Sequence, residues 1–373
     1  MSERRAPGKV RDSVIEALTL QPGAASIKRI HARVEQLSGG PVPESSVRSY
    51  LRLNEGTMVY RTSRGEYSLF PMDDGASTAP SNPVFQFRNA SLFHCDCMAW
   101  LRDRAPNSVH AVVTDPPYGL VEYSEAEKRK LRSGYGGVWR IPPAFDGHTR
   151  SPVPRFTVLK DSELKALEIF FGQWAAAVFP VLVPGAHVFI ASNPLLSFIV
   201  ANSVAGAGFE RRGEIVRLTM TMRGGDRPKN AHDEFSDVSV MPRSMWEPWL
   251  LFRKPLEGRV QDNLRKWKTG GLRRPSADKP FGDVIASHPT RPDERALAPH
   301  PSLKPQSFLR QLVRASLPLR QGVVLDPFAG SGSTLAAAEA VGYESIGIES
   351  DSEYIEMAKS AIPRLAALSV KGD

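Results

Sequence analysis

The pattern of apolar and polar positions changes character along the chain. From Arg11 to Leu20, Val14, Ile15, Leu18 and Leu20 fall at helical spacing, and Gln21-Pro22-Gly23 ends the run. A second helix is predicted over Ser26 to Leu37, closed by Gly39-Gly40. A third is predicted from Glu44 to Asn54, with Val47, Tyr50, Leu51 and Leu53 turned inward. Met58-Val59-Tyr60 and Tyr67-Ser68-Leu69-Phe70 then flank Arg64-Gly65 as the arms of a hairpin.

Three short helices closed by a two-stranded wing predict a small winged-helix domain over residues 1–72. The stretch after it is rich in Asp, Ser, Gly and Pro and can bury little, so residues 73–84 are read as a linker. From Phe85 the spacing changes to that of an α/β fold. A strand at Ala90 to His94 leads to a helix through Met98-Ala99-Trp100-Leu101, and a strand follows from Val109 to Thr114. The second strand is apolar throughout, as buried parallel strands are, and it ends at Asp115. Gly119 to Thr157 is a long polar stretch, read as a substrate-covering flap. A helix starts at Asp161, and Pro184-Gly185 turns the chain into a strand at His187 to Ala191. Glu214 to Met220 and Trp249 to Phe252 supply two more strands, and residues 255–299 lose all sheet periodicity. Val323-Val324-Leu325 is a short strand, and Asp326 to Thr334 turns it into a helix over Leu335 to Val341. A last strand, Ser345 to Ile348, ends at Glu349. Residues 85–373 are therefore predicted to form one Rossmann-like sheet with helices on both faces.

Composition narrows the class only slightly. A net charge of +8 favours a polyanionic partner. The apolar stretch from Phe170 to Ile190 is interrupted by Gln173, Pro180, Pro184 and Gly185, so no membrane span and a cytoplasmic location are expected. The two cysteines, Cys95 and Cys97, have neither redox-motif nor zinc-knuckle spacing and are expected to be reduced core thiols. No metal site is expected.

The candidate chemistry sits at two strand ends. Asp115-Pro116-Pro117-Tyr118 lies where open parallel sheets bind ligands, beyond the carboxyl end of a strand. In Asp326-Pro327-Phe328-Ala329-Gly330-Ser331-Gly332-Ser333-Thr334, the glycines would let backbone approach a ligand, and the helix start offers N–H groups. No lysine stands where a nucleotide-binding P-loop needs one. Glu349, following at the next strand end, suits a pair of ribose hydroxyls.

Together the two segments resemble motifs IV and I of the amino-group DNA methyltransferases. Their order, with a basic stretch between them, resembles the β arrangement of that family. The resemblance implies S-adenosylmethionine as cofactor, with contacts from Asp326, Phe328, Gly330, Gly332, Thr334 and Glu349. His300-Pro301-Ser302-Leu303-Lys304-Pro305 resembles the family's His-Pro-Thr-Gln-Lys-Pro segment, which adds Ser302 and Lys304 beside the methionine end. Asp96 resembles the acid of a Gly-Asp-Cys turn near the adenine, although the glycine is missing. Asp115 and the Pro116 carbonyl would accept the two hydrogens of an exocyclic amine, the two prolines would fix that carbonyl, and Tyr118 would stack on a flipped base.

Asp as the first residue of motif IV leans toward adenine N6 over cytosine N4. The N-terminal segment resembles helix-turn-helix modules of restriction and modification enzymes. It would set Arg48 and Arg52 toward the major groove, with Arg61 and Arg64 of the wing on phosphate. The competing reading is a solvated face on a module that only packs against a partner. Arg265, Lys266, Lys268, Arg273 and Arg274, interleaved with Trp267, mark residues 255–299 as the target-recognition segment. Double-stranded DNA, a second copy of the chain and a cognate restriction endonuclease are the partners the resemblance implies. Two other classes compete: an RNA or protein-glutamine methyltransferase, and a catalytically silent DNA-binding regulator.

Overall fold

The computed structural model describes residues 9–19, 24–53, 55, 59–68, 80–117, 144–145, 148–149, 161–219, 228, 231–242, 244–300 and 302–370. Tyr118, most of the linker and nearly all of the expected flap lie outside them. The chain divides into two compact units. One holds Met1–Ser77 and Pro117–Phe171, the other Thr78–Pro116 and Gly172–Asp373.

In the first unit, α1 (Lys9–Thr19), α2 (Ile27–Ser38) and α3 (Glu44–Leu53) surround Val14, Leu18, Ile30, Val34, Val47 and Leu51, all at most 2% exposed. Ser26 caps α2, its hydroxyl accepting from Arg29 N, and Gly39 closes it in the left-handed region. The expected hairpin forms from β2 (Tyr60–Ser63) and β3 (Glu66–Ser68), and β1 (Ala25–Ser26) pairs with β3 as well. Leu53, expected to face inward, is 82% exposed. It is the last residue of its helix, beyond the neighbours that cover Val47 and Leu51.

The second unit is built on a nine-stranded mixed sheet. β5 (Ala90–His94), β14 (Glu344–Glu349), β13 (Val323–Asp326), β6 (Val109–Thr114) and β9 (Leu182–Ala191) lie side by side and parallel. β11 (Trp246–Arg253) pairs antiparallel with β9 and β10 (Glu210–Leu218) antiparallel with β11. β12 (Val284–Ala286) extends that edge, and β4 (Phe85–Phe87) closes the other antiparallel to β5. In the first unit, a separate two-residue ladder joins β7 (Ala144–Phe145) to β8 (His148–Thr149). The central strands are apolar without alternation because both faces are covered: Ala111, Val112, Val113, Val188, Phe189 and Ile190 have no exposed surface.

Two sequence expectations change here. The helix α5 (Asp161–Val181) runs straight into β9, and Pro184-Gly185 is a bulge inside that strand rather than a turn before it. Gly185 has φ +79°, and a Cβ there would lie 2.4 Å from Asn263 Nδ2, so only glycine fits. Residues 255–299 are not devoid of regular structure: they contain α7 (Val260–Trp267), strand β12 and α8 (Pro292–Leu297). α5 has the length and mean hydropathy of a membrane span over Glu163–Val181, but Leu167, Phe171, Trp174, Ala175 and Val178 are core residues at most 1% exposed. α6 (Ser197–Gly206), shorter and also apolar, packs on β10 and β11.

Candidate active site at the carboxyl ends of the strands

The topology turns sequence distance into adjacency. β6 and β13 are hydrogen-bonded neighbours, so Asp115, just past β6, and Asp326, the last residue of β13, come together although more than two hundred residues separate them. Thr114 Oγ1 donates to Asp326 Oδ1 at 2.7 Å. Glu349 ends β14 and Asp96 follows β5, so four acidic residues stand at the carboxyl ends of four adjacent parallel strands. Ligands bind at such ends because loops and helix starts meet there.

Asp115 is 17% exposed at its side chain, and its Oδ2 accepts from Lys304 Nζ at 2.5 Å. Lys304 was expected beside the methionine end of a cofactor; its ammonium is instead directed at this carboxylate. Burial pulls the lysine pKa down, but Asp115 and Glu247 outweigh it and leave the value raised. Lys304 thus stays a cation, and the carboxylate beside it is favoured in its charged form. Pro116 is buried and Pro117 exposed.

In the glycine-rich turn, the structure reassigns several expected contacts. Asp326 is 3% exposed and its carboxylate accepts from the Phe328 amide and from the hydroxyls of Thr114 and Thr334. Thr334 therefore locks the turn, which is a structural duty. Gly332 precedes α10 (Ser333–Ala340) at φ +76°, and a Cβ there would lie 2.5 Å from Ile362 Cγ1 of α11 (Ser352–Ala366), so helix packing demands it. Gly330 faces His300, whose Nε2 would be 3.1 Å from a Cβ. The ring of His300 lies 4.4 Å from that of Tyr354, and burial followed by the charge of Lys304 lowers the imidazole to about 4, so it is neutral. Ser302 meets His300 Nδ1 through both its amide and its hydroxyl, which orients the ring. Phe328 stays half-buried, 6.2 Å ring to ring from Trp174, as one wall of the turn.

Glu349 accepts from Gly330 N on one oxygen and from Ser350 N and Asp351 N on the other, each at 2.8 Å. Burial still raises its pKa against these three amides. A carboxylate has about four lone-pair sites, so this one keeps acceptor capacity while its position is fixed. Asp96 caps α4 (Cys97–Arg102) through Met98 N and Ala99 N, which accounts for an acid at that position without a ligand. Burial, then the Asp96 charge, raises the Cys95 thiol to about 11 and also raises Cys97, so neither is a thiolate nucleophile. A half-buried aromatic, a turn with two left-handed glycines and an anchored acid at the next strand end fit a nucleoside carrying an apolar, positively charged tail.

The sequence did not single out Arg217 and Glu247. They face each other across β10 and β11 at the same end of the sheet, where Glu247 Oε1 lies 3.2 Å from Lys304 Nζ. A local signal existed: each charge is flanked by apolar residues, in Ile215-Val216-Arg217-Leu218 and Trp246-Glu247-Pro248-Trp249, and each is buried.

The basic residues of 255–299 lie elsewhere. Asn263 Nδ2 donates to Pro184 O at 2.9 Å and Thr269 Oγ1 to the same oxygen at 2.6 Å, which ties this segment to the start of β9. Arg273 donates to Tyr343 OH at 2.8 Å, just before β14 begins. Asp115 is at the opposite end of these parallel strands, about 20 Å away at ~3.3 Å per residue. Arg265 pairs with Asp262 at 3.0 Å, Lys266 with Glu257 at 2.5 Å, and Lys268 Nζ donates to Arg265 O. Arg265, Lys266, Lys268, Arg273 and Arg274 are therefore not grouped around the candidate site. In the first unit, by contrast, Arg48, Arg52 and Arg64 line one groove together with Lys28 and Arg61.

With this geometry established, relatives were identified. The family profile described as a DNA methylase of the N6/N4 amino type matches residues 109–360. A type II methyltransferase from Lactococcus lactis subsp. cremoris, M2.LlaDCHI, is 24% identical over 283 residues, covering 76% of this chain and 92% of that relative. The type II methyltransferase M.HindIII from Haemophilus influenzae is 23% identical over 285 residues, covering 69% and 90%. Among solved structures, the cytosine-N4-specific PvuII DNA methyltransferase superposes with a TM-score of 0.50 at 14% identity, covering 79% of this chain and 91% of that one, a likeness of fold.

Proposed function

This chain belongs to the N6/N4 family of DNA methylases, and we propose that within it the protein methylates the exocyclic N6 of adenine at a specific site in double-stranded DNA. The methyl donor is S-adenosylmethionine, whose sulfonium supplies an activated methyl group. The observation that carries the reading is Asp115, a partly buried carboxylate held by Lys304 beside the glycine-rich turn of Asp326 to Thr334.

An exocyclic amine is a weak nucleophile because its lone pair is delocalised into the ring. Asp115 accepts a hydrogen from the amine and stabilises the positive charge that grows on nitrogen as it attacks. The cation of Lys304 makes Asp115 a fixed acceptor and a poor proton sink, so the proton leaves after transfer. Glu349 binds the ribose of the donor and Phe328 walls its apolar part, which supplies orientation, the other large contribution to such a displacement. Tyr118, three residues beyond Asp115, stacks on the flipped base. An aspartate heading the Asp-Pro-Pro-Tyr segment favours adenine.

The N-terminal unit is read as a winged helix whose groove of Arg48, Arg52, Arg61 and Arg64 binds DNA phosphates. DNA as substrate implies a cytoplasmic setting. A homodimer and a cognate restriction endonuclease are further proposed partners. The test is transfer of a labelled methyl group from S-adenosylmethionine to DNA, followed by nucleoside separation. Label in N6-methyl-2′-deoxyadenosine supports the reading. Label in N4-methyl-2′-deoxycytidine moves the target base, and label only in RNA or protein overturns DNA as the substrate.

A further inference from the structure

We propose that the buried Arg217–Glu247 ion pair is the positioning device of the catalytic centre, fixing the Lys304 ammonium on Asp115 and so aiming that carboxylate at the substrate amine. The inference rests on the role of Asp115 given above and goes beyond it, because neither residue touches the reacting atoms.

The geometry forms a chain across the carboxyl end of the sheet. Arg217, next to last in β10, is the cross-strand partner of Glu247, second in β11. Its Nη1 donates to Glu247 Oε2 at 2.7 Å. The other Glu247 oxygen faces Lys304 Nζ at 3.2 Å, and Lys304 donates in turn to Asp115 at 2.5 Å. Both oxygens of Glu247 are thus committed, one to each cation, and its carboxylate cannot turn without breaking a bond. Arg217 is anchored just as fully: Nε donates to Ser287 Oγ at 3.1 Å, Nη2 to His288 O at 3.2 Å, and its guanidinium lies 5.1 Å over the ring of Phe308.

Burial makes this arrangement costly as well as ordered. The side chains of Arg217 and Glu247 are each 7% exposed and that of Lys304 is 8%. Replacing a buried ion pair with apolar groups is often neutral or stabilising, so stability alone gives no reason for these charges here. They do give direction. An ammonium has three hydrogens; here Asp115, Glu247 and the Ser302 carbonyl, at 3.5 Å, constrain Nζ from three sides. The charged groups that face Lys304 are Asp115 beyond β6, Glu247 on β11 and Arg217 on β10, with neutral His300 on its own segment. Glu247 offsets part of the penalty for burying the ammonium. Removing that charge both loosens Lys304 and lowers its affinity for a proton.

The experiment uses the full chain and Glu247→Gln, which keeps the shape and removes the charge. Expected are a fall in kcat of about tenfold or more at neutral pH and S-adenosylmethionine affinity within about threefold of wild type. Glu247→Asp should recover part of the rate. The double variant Arg217→Gln/Glu247→Gln leaves no buried orphan charge, so it reads out function even if the single variant folds poorly. A purely structural pair predicts wild-type kcat in the double variant; positioning predicts the same loss as in Glu247→Gln. Independently of activity, the Lys304 side chain is titrated by NMR, its signal identified by Lys304→Arg. Its midpoint should drop by about one pH unit or more in Glu247→Gln, and by less in the double variant, where loss of the Arg217 cation offsets part of the change. An unchanged midpoint in Glu247→Gln, or wild-type kcat in either variant, overturns the inference. Failure of wild type to methylate any DNA would instead sink the assigned reaction, while the titration still decides the role of Glu247.

Discussion

At Asp115 the carboxylate carries its own counter-ion, 2.5 Å away, and this limits its chemistry to accepting hydrogen bonds. Asp115→Ala should therefore lower kcat by about a thousandfold, the upper range for removing one preorganised transition-state contact. Lys304 keeps Glu247 as a partner at 3.2 Å, so the variant still folds, and donor affinity should stay within about threefold by titration calorimetry. Turnover near wild type would reject Asp115 as the catalytic acceptor. Asp326 makes a second, independent prediction. Burial raises its pKa from 3.8 to about 6, with Asp115 adding to the rise and the bonds from Thr114, Thr334 and Phe328 only partly opposing it. The folded state thus holds this proton more tightly than the unfolded chain. Its contribution to stability is complete below the unfolded pKa and is lost as pH rises through about 6. Between about pH 4 and 7, wild type should lose up to roughly 3 kcal/mol relative to Asp326→Asn. Urea denaturation across that range measures it, and parallel curves for the two proteins would refute it.

The same scale shows what a sequence can disclose. Asp115, Asp326 and Glu349 were legible as candidates because each acid stands at the carboxyl end of a strand, where open parallel sheets bind ligands. Asp96 and Thr334, read as ligand contacts, also serve the fold: one caps α4 and the other braces Asp326. Each bond lies within a few residues of the backbone or joins side chains that only the fold brings together, and composition does not separate such duties from binding.

Among the elements, the strands at Ala90–His94 and Val109–Thr114 form where the sequence placed them. β12 was missed because three residues at a sheet edge, two of them exposed, carry no period that a pattern could register. The place of the basic segment in the fold was not legible for a related reason. Arg265, Lys266 and Lys268 look like a nucleic-acid patch in one dimension, but Asn263 docks their helix against Pro184, at the end of the sheet away from Asp115. The combined reversal Arg265→Glu, Lys266→Glu and Lys268→Glu should leave the methylation rate on a cognate oligonucleotide within about twofold, as for exposed charges far from a site. A loss of about a hundredfold would return this helix to the DNA interface.

For the whole molecule, the family match begins at residue 109, so residues 1–77 stand outside it and their groove of arginines is a separate matter. Removing residues 1–72 should weaken DNA binding and reduce its salt dependence, since phosphate contacts are lost, while donor affinity stays unchanged. Salt-dependent fluorescence anisotropy checks this, and an unaltered slope would assign the unit another role. The central claim concerns the reaction itself. The most direct measurement is to express wild type and Asp115→Ala separately in a host without DNA methylation and sequence each host's DNA by a method that separates N6-methyladenine from N4-methylcytosine. One sequence motif bearing N6-methyladenine in the wild-type host and no modification with Asp115→Ala is the predicted result. Unmodified DNA from a folded, donor-binding wild type, or equal modification by Asp115→Ala, would contradict it.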